Sequence, residues 1–257
     1  MPITIKTEQD IKVLREGGSR LAAILGAAAK LVKPGVSAKY IDDFVRSEME
    51  KGGDSAAFLG YKPKGAKRPY PASVCVSIND AIVHGIPNEG DITFKEGDIV
   101  GVDAGLKHKN LFTDMALTVP VGEIHKKASL LIKVTKDALQ VGIKAARSGN
   151  TTGDVGYAIQ RFVRPYGFGI IRGLSGHGVG YEVHEDPYVP NYGEAGKGEV
   201  LKSGMVIAIE PMLSLGSENI VLDRDGYTYK TADGSISAHF EHTILITEGE
   251  AEILTKM

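Results

Sequence analysis

The chain has a single cysteine, Cys75, among its 257 residues. No disulfide can form within it, so the fold must hold by packing and hydrogen bonding alone. A surplus of one charge is also missing: the net charge is −2 at pH 7, with lysines and arginines scattered along the sequence. Nucleic acid, whose phosphates require a basic face, is excluded as a principal partner. Apolar runs reach only about ten residues, where a bilayer span needs roughly 20, and no membrane binding is expected. The N-terminus, M-P-I-T-I-K-T-E-Q-D, has neither an apolar h-region nor a small-residue cleavage site, so the cytoplasm is the expected location. What remains is an ordinary globular composition, 42% hydrophobic and 24% charged, long enough to bury a sizeable core.

Thr7 to Asp10 has the composition of a helix start, and Ile11, Leu14, Leu21, Leu25 and Ala28 keep helical spacing to about Leu31. K-P-G-V-S at 33 to 37 breaks that helix, and Ser37 can cap a second one carrying Ile41, Phe44, Val45 and Met49. Residues 52 to 72, rich in Gly, Pro and Lys, read as a loop. Strands are expected at Ser73–Ile78, in a short return ending in V-H-G-I-P at 83 to 87, at Ile99–Asp103 and at Ala116–Val121; further helices are expected at Ser129–Arg147 and Thr152–Val163.

The stretch with the most chemistry is L-S-G-H-G-V-G-Y-E-V-H-E-D-P at 174 to 187, where two histidines, His177 and His184, stand among glycines that let backbone or ligand approach closely. Two other segments place carboxylates inside or at the end of apolar runs. These are G-V-D-A-G at 101 to 105, with Asp114 beyond it, and A-I-E-P-M at 208 to 212, with F-E-H at 240 to 242. An unpaired charge in such a run is costly unless a cation lies opposite.

The segments also echo one another. K-E-G-D-I-V-G-V-D, ending at Asp103, matches K-S-G-M-V-I-A-I-E, ending at Glu210. V-H-G-I-P at 83 matches V-H-E-D-P at 183, and Asp114 matches Glu241, each with G-E eight residues on. The expectation is one unit over 1–257 made of two related halves, roughly 10–125 and 126–252. Each half gives one His and two carboxylates to a shared centre, and His177 falls outside the pairing. Four carboxylates and one neutral imidazole supply a formal charge that two divalent cations balance, held about 3.5 to 4 Å apart by bridging carboxylates. Mixed oxygen and nitrogen donors suit Mn, Fe, Co or Zn, and the lack of thiolates argues against a structural zinc site. The reaction class implied is hydrolysis of an amide or ester.

Taken together, V-H-G-I-P, the D-x10-D spacing, S-G-H-G-V-G-Y-E-V-H-E-D-P, G-M-V-I-A-I-E-P-M and H-F-E-H-T-I-L-I-T resemble the type I methionine aminopeptidases. The resemblance runs nearly the whole chain and implies an α+β pita-bread fold, with helices packed on a curved antiparallel sheet in two pseudo-symmetric halves around a central metal site. It puts the metal ligands on Asp103, Asp114, His177, Glu210 and Glu241, with Asp114 and Glu241 bridging. His84 and His184 would contact the substrate and stabilise the oxyanion, and Glu210 would pass a proton from the attacking water to the leaving amine. The implied substrate is the N-terminal methionine of nascent polypeptides with a small second residue. A monomer is expected, with the ribosome a candidate docking partner.

The methionine pocket would map to Phe58, Tyr61, Tyr70, Cys75, Val183 and Tyr227. Here the sequence departs from the family: Phe58 replaces a small residue, Val183 an aromatic and Tyr227 a tryptophan. Extra sequence, K-P-K-G-A-K-R-P, lies between Tyr61 and Tyr70, and Met115-Ala116 replaces a Thr-Ser pair. Two alternatives stay open, an X-Pro-cleaving aminopeptidase P or prolidase of the same fold and a non-catalytic binding module. His108, His125, His239 and His242 have no partner identifiable from sequence.

Overall fold

Thr7 starts the first helix. Its hydroxyl accepts from the Asp10 N–H while the Asp10 carboxylate accepts from the Thr7 N–H, a reciprocal arrangement that satisfies two donors otherwise left open. A computed structural model describes residues 3–256; the ends of the expected 1–257 unit, Met1, Pro2 and Met257, lie outside the described residues. The first half runs through α1 (Glu8–Leu31), α2 (Ala38–Lys51), β1 (Ser55–Ala56), β2 (Cys75–Ile78), β3 (Ala81–Val83), β4 (Ile99–His108) and β5 (Leu111–Pro120). The second runs through α3 (Lys126–Ala145), α4 (Thr152–Val163), β6 (Gly169–Ile170), β7 (Gly176–Gly178), β8 (Glu185–Val189), β9 (Val206–Ile209) and β10 (Met212–Ser214). It closes with β11 (Ile220–Leu222), β12 (Tyr229–Thr231), β13 (Ser237–His239), β14 (Glu241–Leu245) and β15 (Glu252–Ile253).

The helices stand where the apolar spacing puts them. Ser37 caps α2, and Thr151 caps α4 in a second reciprocal box with Asp154. Two strands are longer than expected, Ile99–Asp103 extending to His108 and Ala116–Val121 beginning at Leu111 and ending at Pro120, while the expected Ser73–Ile78 starts at Cys75. These extensions form one hairpin turning at Lys109 and Asn110, both with positive φ (46° and 69°), the backbone that matches the twist of a two-residue connection. Within the expected loop, Ser55–Ala56 pairs with Lys107 and Leu106.

The main sheet has nine strands in the order β1-β4-β5-β14-β9-β7-β8, with β2 on β4 and β15 on β14. Every pairing in it is antiparallel. Helix α1 packs on β4 and β5, and α3 packs on β14, β9 and β5. Between helices and sheet lies the main core, with Leu21, Leu25, Val102, Leu131 and Ile209 all buried. The other face of the central strands carries the charged residues.

Candidate active site

Register places the carboxylates. Asp103 on β4 sits opposite Ala116 on β5, and Ala116 sits opposite Glu241 on β14. The neighbouring pair His242 and Ile209 is followed on the two strands by Glu241 and Glu210. Asp103, Ala116, Glu241 and Glu210 therefore form one row across four strands. Asp114 stands two residues before Ala116, on the same face because strand side chains alternate. His177 on β7 arrives one strand further, since Gly178 pairs with Ile207. Ala116 is the small residue in the row and keeps its middle open, which gives a packing reason for alanine at that position.

Asp114, His177 and Glu241 each offer a ligand atom within 4.8 Å of the others. His177 Nδ1 lies 2.9 Å from the Gly178 carbonyl oxygen. A carbonyl only accepts, so Nδ1 carries the proton and Nε2 presents a lone pair. That lone pair faces Glu210 Oε1 at 3.5 Å and Glu241 Oε1 at 3.9 Å. Among the described residues, Asp103 Oδ1 and Glu241 Oε1 are buried with no hydrogen-bond partner. Burial pushes the Asp114 carboxyl up to about 7. Burial, then the charge of neighbouring carboxylates, pushes Asp103, Glu210 and Glu241 well above the ordinary carboxylate range. The same burial drives His177 down to about 4, so it stays neutral. Acceptors converging without donors repel one another, and a divalent cation between them removes the conflict. The donor set fits such an ion.

Beside this cluster opens a cavity of about 470 Å³ whose lining includes Asp103, Asp114, His177, Glu210 and Glu241. His84 and His184 line it as well, and burial lowers them to about 4 and about 3, leaving neutral rings. His84 follows β3 with φ 59°, and its carbonyl accepts from the Thr228 hydroxyl at 3.3 Å. The apolar wall comes from a buried cluster separate from the main core: its Phe58, Tyr70, Cys75 and Tyr227 line the cavity, whereas Val183, expected in the pocket, packs within the cluster and does not line it. Tyr70 meets Tyr227 edge-on at 5.2 Å and donates its hydroxyl to the Gly85 carbonyl at 2.8 Å. Gly105 makes room for this wall, because a Cβ there would lie 2.9 Å from the Phe58 ring. Tyr61 lines the cavity outside that cluster, with its hydroxyl 3.0 Å from His184 Nδ1. Burial raises the Cys75 thiol well above its usual range, which makes it a packing residue.

Sequence reasoning left several partners unseen. His239 is buried with Nε2 3.4 Å from Glu210 Oε2; its place two residues before Glu241 is the period-2 signal that would have flagged it. His108 lies 2.6 Å from Asp54 and 3.2 Å from Glu16, tying α1 to the hairpin. His125 caps α3 by accepting from the Lys127 N–H, and His242 meets the Thr255 hydroxyl at 3.0 Å. Lys6 forms a buried ion pair with Glu185 at 2.7 Å. The Glu185 carboxylate also accepts from the Thr4 hydroxyl and the N–H groups of Tyr181 and Glu182, which fixes the turn that carries His184.

An oxygen-rich buried centre with one imidazole, opening into a walled cavity, defines a metal-dependent hydrolase. The chain belongs to metallopeptidase family M24, whose model matches residues 12–248. Among curated relatives, the methionine aminopeptidase of Aquifex aeolicus is 44% identical, with all of both chains covered. Methionine aminopeptidase 1 of Bacillus subtilis is 40% identical over 99% of this chain and 100% of its own. The crystal structure of methionine aminopeptidase from Thermotoga maritima superposes with a TM-score of 0.95 at 44% identity, covering 100% of both chains. The prolidase from Pyrococcus furiosus has a TM-score of 0.76 at 25% identity, covering 98% of this chain but 65% of that one. The fold is the pita-bread fold.

Proposed function

We propose that this chain removes the N-terminal methionine from nascent polypeptides whose second residue is small. The observation that carries the reading is the apolar wall of Phe58, Tyr70, Cys75 and Tyr227, set beside the carboxylate cluster in one cavity. A flexible thioether fits an aromatic-lined slot of this kind, and the scissile bond is then held next to the charged row.

In this reading Asp103, Asp114, His177, Glu210 and Glu241 would hold two divalent ions, of Mn, Fe, Co or Zn, which would supply Lewis acidity for the attacking water and the scissile carbonyl. Glu210 accepts a proton from the attacking water and returns it to the leaving amine. His84 and His184, neutral and facing the cavity, donate to the substrate carbonyl oxygen and to the charge that grows on it. The halves 10–125 and 126–252 are proposed as an internal repeat, supported by the sheet order: Asp103 on β4 and Glu210 directly after β9 flank β5 and β14, which carry Asp114 and Glu241. The cytoplasmic location is proposed from the composition, with its single cysteine, and the monomeric state and ribosome docking from the family resemblance.

The test is release of free methionine from Met-Ala-Ser by protein stripped of metal and reloaded with Mn, Co, Fe or Zn in turn. Release restored by reloading supports the reading, and failure with every ion contradicts it.

A further inference from the structure

We propose that the Tyr61 hydroxyl is a positioning group for His184: it donates to Nδ1 and holds the ring in the tautomer that carries its proton on Nε2. The inference rests on the aminopeptidase reading for its consequence and on geometry for its substance. The hydroxyl is 3.0 Å from Nδ1. The two rings lie 5.4 Å apart and tilted by 48°, so the hydroxyl and the ring nitrogen make the contact and stacking does not. Burial raises the phenol above its usual pKa, which keeps it protonated and able to donate. The other side of His184 meets His177 edge-on at 4.5 Å.

With Nδ1 accepting, Nε2–H is free to donate to a carbonyl oxygen. The opposite tautomer would offer that oxygen a lone pair and repel it. A neutral imidazole in a cavity needs such a partner to fix which nitrogen donates, and Tyr61 is placed to be one.

The segment that delivers Tyr61 is built to hold still. Backbone bonds from Tyr70 N–H to the Tyr61 carbonyl (2.8 Å) and from Gly60 N–H to the Tyr70 carbonyl (2.9 Å) close the neck of the loop. Its returning arm is pinned where the Tyr227 hydroxyl, which a tryptophan would lack, donates to the Arg68 carbonyl. The Arg68 guanidinium grips both oxygens of Glu89. The extra residues between Tyr61 and Tyr70 and the tyrosine at 227 thus act as one device that sets a hydroxyl against His184.

Tyr61→Phe tests this by removing the hydroxyl and keeping the ring. In zinc-loaded protein, the imidazole nitrogen NMR signals of His184 should show the Nε2–H form in the parent and a mixture in the variant, with metal content unchanged. Turnover of Met-Ala-Ser should fall roughly 3- to 10-fold in kcat, the scale of one hydrogen bond, with KM altered less than about twofold. In a His184→Ala background, Tyr61→Phe should cost nothing further. Tyr61→Leu, which also removes a cavity wall, should raise KM. The proposal is overturned if the parent shows Nδ1–H, or if Tyr61→Phe leaves both the tautomer and kcat as they were. A tautomer change in a parent protein that releases no methionine would refute the functional reading and leave the positioning role standing.

Discussion

Metal binding at this centre should be a competition with protons, and its size follows from the carboxyls. In the metal-free chain the Asp114 carboxyl is raised from 3.8 to about 7. A raised acid holds its proton below that pH, so a cation must displace it there and need not do so well above it. Affinity therefore falls as pH drops through about 7 and still rises with pH above it. A group of this pKa is about one-quarter protonated at pH 7.5 and nearly fully protonated at pH 5.5, which alone weakens binding about 25-fold, or roughly 2 kcal/mol, across that span. Asp103, Glu210 and Glu241 are raised in the same direction and enlarge the effect. His177, lowered to about 4, is neutral throughout and adds nothing. Calorimetric titration with Mn(II) at pH 5.5, 6.5 and 7.5, each in two buffers of different ionisation heat, measures affinity and protons released together. At least one proton should leave per protein loaded at pH 5.5. An affinity that changes less than about threefold over the range, with no proton release, would refute the reasoning.

Two substitutions separate roles within and around the site. His184→Ala should lower turnover by roughly 100- to 1,000-fold, as loss of an oxyanion donor does, while metal analysis finds the parent's content; loss of metal would make His184 part of the metal centre. Lys6→Met takes the cation from the Glu185 carboxylate, whose side chain is only 2% exposed, and leaves it with the Thr4 hydroxyl and two backbone N–H groups. It should cost about 3–5 kcal/mol in denaturant unfolding, and Lys6→Met with Glu185→Gln should recover part of that loss. A single variant as stable as the parent would show that the ion pair does not hold the turn.

The carboxylate row was legible because charge inside apolar runs is conspicuous: V-G-V-D-A-G and V-I-A-I-E-P cannot be buried strands without a reason for the acid. Helices were legible from spacing and caps, as Thr7 and Ser37 each opened the helix that follows; the cap at Thr151 was not read, though its helix was. Strand ends were not, because K-H-K-N at 107 to 110 reads as polar loop while its backbone makes a tight hairpin turn. Long-range side-chain pairs leave no local trace. Lys6 and Glu185 lie 179 residues apart, and His108 finds Asp54 across 54. The positive φ of His84 is likewise invisible in V-H-G-I-P, since the strain belongs to the turn that aims the ring. The extra loop was legible as an insertion; its hydroxyl contact with His184 depends on a fold-back that only the tertiary structure supplies.

The central claim is that this cavity selects methionine at a peptide's N-terminus and cleaves with a divalent metal. The most direct measurement is a cleavage panel of Met-Ala-Ser, Leu-Ala-Ser and Ala-Pro-Ala with metal-stripped protein, with and without added metal. The account predicts metal-dependent release of methionine from the first peptide, with the other two left intact. Cleavage of Ala-Pro-Ala in place of Met-Ala-Ser would contradict it and make the chain an X-Pro exopeptidase, and no cleavage of any peptide by protein with metal bound would leave a binding module.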